Sequence, residues 1–210
     1  MNNIEISVAE TFSDWVHNLN INDVPEEVVK KLQLIVMDSF GLMISAKNEP
    51  YIKSLINALQ DYGDCTLVGH NKKVNPFNAS IINGTAIHGE DFDDTFEGTP
   101  VHVGSVMVPA MLSSAQAINL DGENFLKGLV VGSELICRLA LVAPTAVHRQ
   151  GFHPTAIFGA FGASIGVSSL LGNTINEMSS GLGIVGSMAS GIIEYLAEGT
   201  STKRLHPGWA

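Results

Sequence analysis

At 210 residues the chain is long enough to bury a sizeable core. Hydrophobic residues make up 45% of it and charged residues 15%, below the usual quarter for soluble proteins, so much of the surface is expected to lie in a large core or an oligomer interface. A formal net charge of −10 argues against nucleic acid as a partner, because phosphates need clustered Lys and Arg; a small anionic ligand needs only a few local cations.

Helical periodicity dominates the chain. The opening MNNIEISVAETF has neither the basic nor the apolar segment of a signal peptide. Cys65 and Cys137 are far apart and read as free thiols, so a cytoplasmic location is expected. Val8, Phe12, Trp15, Val16 and Leu19 mark one buried helix face. Pro25 opens a second helix, with Glu26 and Glu27 at the positive end of its dipole and Val28, Val29, Leu32, Ile35 and Val36 as its stripe. A third helix is expected over 50–62, stopped by Gly63. CTLVGH is the one convincing extended piece, with a turn at HNKK. Helices follow from Pro76, over about 106–118, over about 123–142 and over 154–171. Thr174-x-x-Glu177 is a capping box opening the last clear helix.

Gly159 and Ala163, then Gly162 and Gly166, stand four apart. Glycine costs about 1 kcal/mol against alanine in a helix, and close approach of packed helices is the natural reason to keep it. The stretch 154–176 has no charged residue and is long enough to span a bilayer. Its many Gly and Ser, its lack of Trp or Tyr anchors and the absence of a nearby basic flank favour a helix buried on all sides. No membrane partner is expected.

Three knots can do chemistry. HGEDFDDTFEGTPVH, residues 88–102, packs five carboxylates and two histidines between apolar segments. If the preceding helix runs on, His88, Asp91 and Thr95 share a face, and with His102 on the following loop Asp91 and Thr95 converge on one pocket. Asp93 and Asp94 are then expected to point elsewhere, as caps or pairs. In RQGFHPTAIFG, His153 stands at a helix N-terminus, where free amides favour anions and imidazole can move a proton. TKRLHPGWA holds Lys203, Arg204 and His206. There is no phosphate loop, GxSxG, HExxH or CxxC. Metal binding through His88, Asp91 and His102 fits no standard spacing, and no metal is expected. DDTFE resembles the Asp-rich motif of isoprenoid synthases but lacks the second acidic motif that chemistry needs.

Taken in order, NGTAIHGEDFDDT with its following His, GFHPTAIFGAFGAS and TKRLHPGWA resemble the MmgE/PrpD family of 2-methylcitrate dehydratases, cis-aconitate decarboxylases and related lyases and epimerases. The resemblance implies a mainly α fold: residues 1–210 as an incomplete all-helical large domain, with the family's smaller α+β domain outside this sequence. It also implies a homodimer, a small polycarboxylate substrate and no cofactor. Carried over by position, the family site falls on Asp91, His102 and His153 as catalytic groups and on Thr95 and Lys203 as substrate-binding ones. The loop FEGTPVHVG is one residue longer than the commoner form, which bears on His102. Dehydration of a 2-methylcitrate-like acid is the first expectation, with decarboxylation of cis-aconitate or epimerisation of an imino-dicarboxylate beside it. Family chains are about twice as long and complete the site from the smaller domain. The 210 residues alone are therefore expected to be inactive or nearly so, and a non-catalytic helical assembly module is the reading from another class.

Overall fold

The structure is a computed structural model that describes residues 6–59 and 61–210. In chain order it comprises α1 (Val8–Asn18), α2 (Glu26–Ala46), α3 (Pro50–Ala58), β1 (Cys65–Thr66), β2 (Lys73–Val74), α4 (Pro76–His88), α5 (Gly104–Ala117), α6 (Gly122–Val142), α7 (Ala146–Arg149), α8 (Pro154–Leu170), α9 (Ile175–Met188), α10 (Tyr195–Glu198) and α11 (His206–Trp209). Short 3-10 turns occupy Ile21–Asp23 and Ser201–Leu205. The fold is mainly α, as expected. CTLVGH contributes only β1, which pairs antiparallel with β2 through Cys65–Val74 and Thr66–Lys73.

Helices α4, α5 and α8 carry apolar or small residues all round and are buried on nearly every side, as such helices must be. Helix α8 is the hub, packed on α5, α6 and α9, and α4 lies on α2, α5 and α11. Ile82, Ile87, Met107, Met111, Leu129 and Ile136 fill the main core. Val16, Val131, Leu135, Ile165, Met178 and Leu182 form a second cluster that seals α1 and α9 onto α6 and α8. Among the described residues no helix is long and apolar enough to cross a membrane, and Cys65 and Cys137 are free.

Gly162 and Gly166 of α8 face α6, while Gly159 faces Val106 of α5. A Cβ on Gly162 would stand 2.8 Å from the Gly132 carbonyl oxygen, and one on Gly132 would stand 2.6 Å from that of Gly162. The two backbones touch because neither has a side chain there.

Helix starts follow their caps. Thr174 and Glu177 form the expected box, and Ser7 and Glu10 form a second at α1. Thr174→Ala is expected to lose about 1 kcal/mol, read as a lower urea midpoint at unchanged slope. Two helix expectations need correction. Helix α3 ends at Ala58, short of the expected 62. In α1, Val16 is buried, while Val8 in the first turn is 84% exposed and Trp15 is 38% exposed, so the buried face is narrower than the spacing implies.

Candidate functional site

The acidic stretch does not continue the helix. Helix α4 ends at His88, and Gly89 follows because a Cβ there would stand 2.1 Å from the Tyr51 hydroxyl. Asp91 takes a left-handed backbone, φ 60°, which a short polar side chain tolerates better than most. The shared helix face expected for His88, Asp91 and Thr95 is therefore absent, and a folded-back loop brings the groups together instead.

That loop is held from both sides. The Asp94 carboxylate accepts from the Gly104 and Val103 amides at 2.8 and 3.2 Å and so caps α5. Burial pushes its carboxyl up, against the pull of those amides. The Thr155 hydroxyl at the start of α8 accepts from the His102 amide at 3.1 Å. His153 precedes Pro154 in the extended backbone a proline demands. Its own amide donates to the Gly191 carbonyl at 2.9 Å.

Four imidazoles then meet. Ring centroids lie 4.8 Å apart for His88 and His102, 5.5 Å for His88 and His153, and 5.3 Å for His153 and His206. His153 and His206 approach Nδ1 to Nδ1 at 3.2 Å, so one of the two donates. Tyr195 packs edge-on against both at 5.7 Å. His102 turns Nδ1 to the Asp94 backbone carbonyl at 3.1 Å. A carbonyl only accepts, so Nδ1 carries the hydrogen, and in the neutral ring Nε2 is the bare nitrogen. The Thr95 hydroxyl is 3.4 Å from that Nδ1; Thr95 also lines a cavity of about 830 Å³ between α2 and α6.

Lys203, on the 3-10 turn Ser201–Leu205, forms an ion pair with Asp91. Its neighbour Arg204 donates to the Gly89 carbonyl at 2.7 Å and lies 4.6 Å over the Tyr51 ring. The C-terminal segment is thus docked on the end of α4. The structure brings Asp91, His102, His153 and Lys203 into one cluster, with Thr95 at its exposed edge.

The electrostatics follow from burial. His153 is pushed down to about 2 by burial, then by the nearby His88 and His206. His88 and His206 are also pushed down, chiefly by burial. Burial works upward on Asp91, but the Lys203 ammonium more than reverses it and holds the carboxyl below its usual range. Burial and then Asp91 push the Tyr195 hydroxyl up to about 12. The cluster therefore combines three imidazoles that burial keeps neutral, those of His88, His153 and His206, with a phenol and one ion pair.

These shifts predict a pH dependence. Unfolded histidine titrates near about 6.5, while folded His153 stays neutral far below that. In between, the unfolded chain binds more protons, so stability falls as pH drops. From pH 7.5 to 5 the loss from His153 alone is on the order of 2 kcal/mol. Urea midpoints at the two pH values measure it, and His153→Gln is expected to flatten the slope. The depressed Asp91 acts lower: its stabilisation is present above the unfolded carboxylate range and is lost as pH falls through its folded pKa.

His88, Asp91 and His102 do offer ligand atoms within 4.8 Å of one another. An ion bound at about 2.0–2.2 Å keeps its ligand atoms within about 4.4 Å of one another, and Asp91 is already engaged by an ammonium. The geometry suits an anion beside Lys203 better than a cation.

Fold and cluster together define a helical scaffold that carries buried histidines and the buried Asp93 carboxylate beside the more exposed Asp91–Lys203 ion pair. The MmgE/PrpD N-terminal domain model matches residues 10–210, and the chain belongs to that family. A cis-aconitate decarboxylase-like protein, oryM, of Aspergillus oryzae is 28% identical over 96% of the chain. The cis-aconitate decarboxylases of Aspergillus terreus and Mus musculus are 24% and 26% identical, over 99% and 96% of it. The chain spans 43–44% of the length of these relatives.

Sequence reasoning missed several groups. Asp93, expected to point away, sits at the centre with its carboxylate 2.8 Å from His88 Nδ1. Nothing in the sequence around Tyr195 marks it as a site residue, and the local composition places His206 only in a cationic tail. A second His-Pro pair, 206–207, echoing 153–154, was the one signal available.

Proposed function

We propose that the protein is a lyase-type proton-transfer enzyme acting on a small polycarboxylic acid. The observation that carries this reading is the Asp91–Lys203 pair standing against neutral, buried imidazoles. Lys203 supplies positive charge for a substrate carboxylate. Held below the usual range, the Asp91 carboxyl stays ionised and positions that ammonium, so the proton passes to a histidine instead. His102, with Nε2 bare and its ring part-exposed, takes or returns the proton at the carbon next to a carboxylate. His153, neutral and anchored at the head of α8, gives or accepts a hydrogen bond from the substrate, and Thr95 donates one at the rim. Charge that grows on the carboxylate in the transition state meets Lys203 and these fixed dipoles.

In dehydration the base removes a carbon-bound proton, and the hydroxyl leaves as water with a proton from the partner acid. In decarboxylation a carboxylate leaves as carbon dioxide, and the electron pair it leaves behind is quenched by a proton. The relatives' activity supports cis-aconitate decarboxylation as the first reaction to test. The polyacid-binding chemistry supports dehydration of a 2-methylcitrate-like acid equally, with imino-dicarboxylate epimerisation as a further member of the panel. We take the working protein to be a homodimer, because a chain so low in charge leaves Met37, Ile184, Met188 and Leu196 more than half exposed. We also take residues 1–210 as the helical part of the catalytic unit, to be completed by the remaining length that the relatives carry.

The test is a panel of these acids with the full-length protein, following hydrogen–deuterium exchange at the carbon next to carboxylate, carbon dioxide release and water loss. Exchange with one acid is expected and should survive chelator, since no step uses a metal. Absence of exchange and turnover across the panel would overturn the reading. The 210 residues alone are expected to show little or no turnover in the same assay.

A further inference from the structure

We propose that Asp93 is a positioning residue of this site: its buried carboxylate holds His88 with the hydrogen on Nδ1 and, facing His102 Nδ1, favours the same tautomer there, which leaves the Nε2 atoms of both neutral rings bare. Only its consequence for turnover rests on the proton-transfer reading.

Asp93 is 6% exposed. One oxygen, Oδ2, lies 2.8 Å from His88 Nδ1, and the other, Oδ1, lies 3.5 Å from His102 Nδ1. A carboxylate only accepts, so a hydrogen on Nδ1 makes both contacts favourable. The opposite tautomer of His88 is penalised twice. It would set two lone pairs against each other at 2.8 Å. It would also place an N–H at His88 Nε2, a buried atom with no hydrogen-bond partner, and a buried unpaired donor is costly. The doubly protonated form is opposed by burial of the ring, which is 1% exposed.

His102 has a second hold on the same hydrogen, the Asp94 carbonyl. His88 has none, so Asp93 alone fixes it. The two oxygens are what the position requires. An amide of the same shape has one acceptor and one donor, and can satisfy one Nδ1–H but not both. Among the described residues Oδ1 has no hydrogen-bond partner, which leaves it free to close on His102 when that ring gains a proton. The carboxylate thus does two things: it chooses the nitrogen that faces the reaction, and it steadies the imidazolium formed there.

The tautomers can be read directly on the 210-residue chain by long-range proton–nitrogen correlation spectra of 15N-labelled histidine near neutral pH, assigned with single His→Gln variants. The expected result is a protonated Nδ1 and a bare Nε2 at both His88 and His102. In Asp93→Asn at least one of the two rings should change tautomer. A protonated Nε2 on wild-type His88 would overturn the proposal, as would unchanged tautomers at both rings in a folded Asp93→Asn. Should that variant fail to fold, the wild-type spectrum alone decides. In the full-length protein Asp93→Asn is expected to lower kcat by roughly 10²- to 10⁴-fold with KM nearly unchanged and a displaced pH profile, a split that simple loss of folded protein would not give. Tautomers as expected without exchange at any acid would sink the functional reading and leave this one standing.

Discussion

His102→Gln in the full-length protein is expected to lower turnover by roughly 10²- to 10⁴-fold, the usual contribution of a positioned acid or base. The effect should fall on kcat. Glutamine keeps the size of the ring and a polar end, and the loop around it is held by groups that remain: Asp94 on the α5 amides and Thr155 on the backbone amide of residue 102. What is lost is a nitrogen that can carry a proton. Lys203→Ala, by contrast, should raise KM for the polyacid and leave the proton-transfer step less affected, because it removes charge that grips the substrate before and during the reaction. Deuterium wash-in at the carbon next to carboxylate separates the two. Wash-in at the wild-type rate in His102→Gln would remove this residue from the mechanism and shift the role to His88 or His153.

The largest expected effect on stability belongs to Gly132→Val. A Cβ at that position stands 2.1 Å from Met107 Cε and 2.6 Å from the Gly162 carbonyl oxygen. The methionine end can swing aside, but the carbonyl is part of the α8 backbone and cannot. Helices α6 and α8 would have to move apart along their whole contact. Overpacking of this kind typically costs about 1–3 kcal/mol and occasionally more, and valine's slightly better helix propensity than glycine's offsets only a small part of it. Against a total stability of about 5–15 kcal/mol, each kcal/mol lowers Tm by about 2–4 °C for a protein this size, so a fall of several degrees or outright unfolding should follow. Gly183→Ala is the matched control: the space beside it in α9 is open, and alanine should be neutral or stabilising by up to about 1 kcal/mol. Equal midpoints for Gly132→Val and the wild type would show that the two helices are not in fixed register.

The sequence made the helices legible because their causes are local. Thr174 and Glu177 lie three apart, and the small residues of α8 announce a close neighbour without naming it. The end of α4 was not legible. Nothing near His88 forbids another turn of helix; Gly89 is required by Tyr51, which comes from α3. Asp93 misled for the same reason, since on an unbroken helix it faces away from Asp91, and only the left-handed turn at Asp91 swings it inward. The partners of Lys203 and His206 stand 112 and 53 residues away, beyond any periodicity. Family resemblance places Lys203 in a site, and only the folded structure places His206 there.

The ion pair between Asp91 and Lys203 also sets an order of events during synthesis. Closing a loop of 112 residues costs entropy that local helical contacts do not, so the helices around α4, α5 and α8 should form before it. At about 5–20 residues per second, roughly ten seconds separate the emergence of the acidic loop from that of the lysine that neutralises it. For that interval five clustered carboxylates wait without the lysine, and the Asp91 end of the loop lacks one of the contacts that fix it, while Asp94 and Thr155 anchor the other end. A nascent chain stalled before residue 203 should show the 88–102 segment cut readily by protease, and a chain released past it should not.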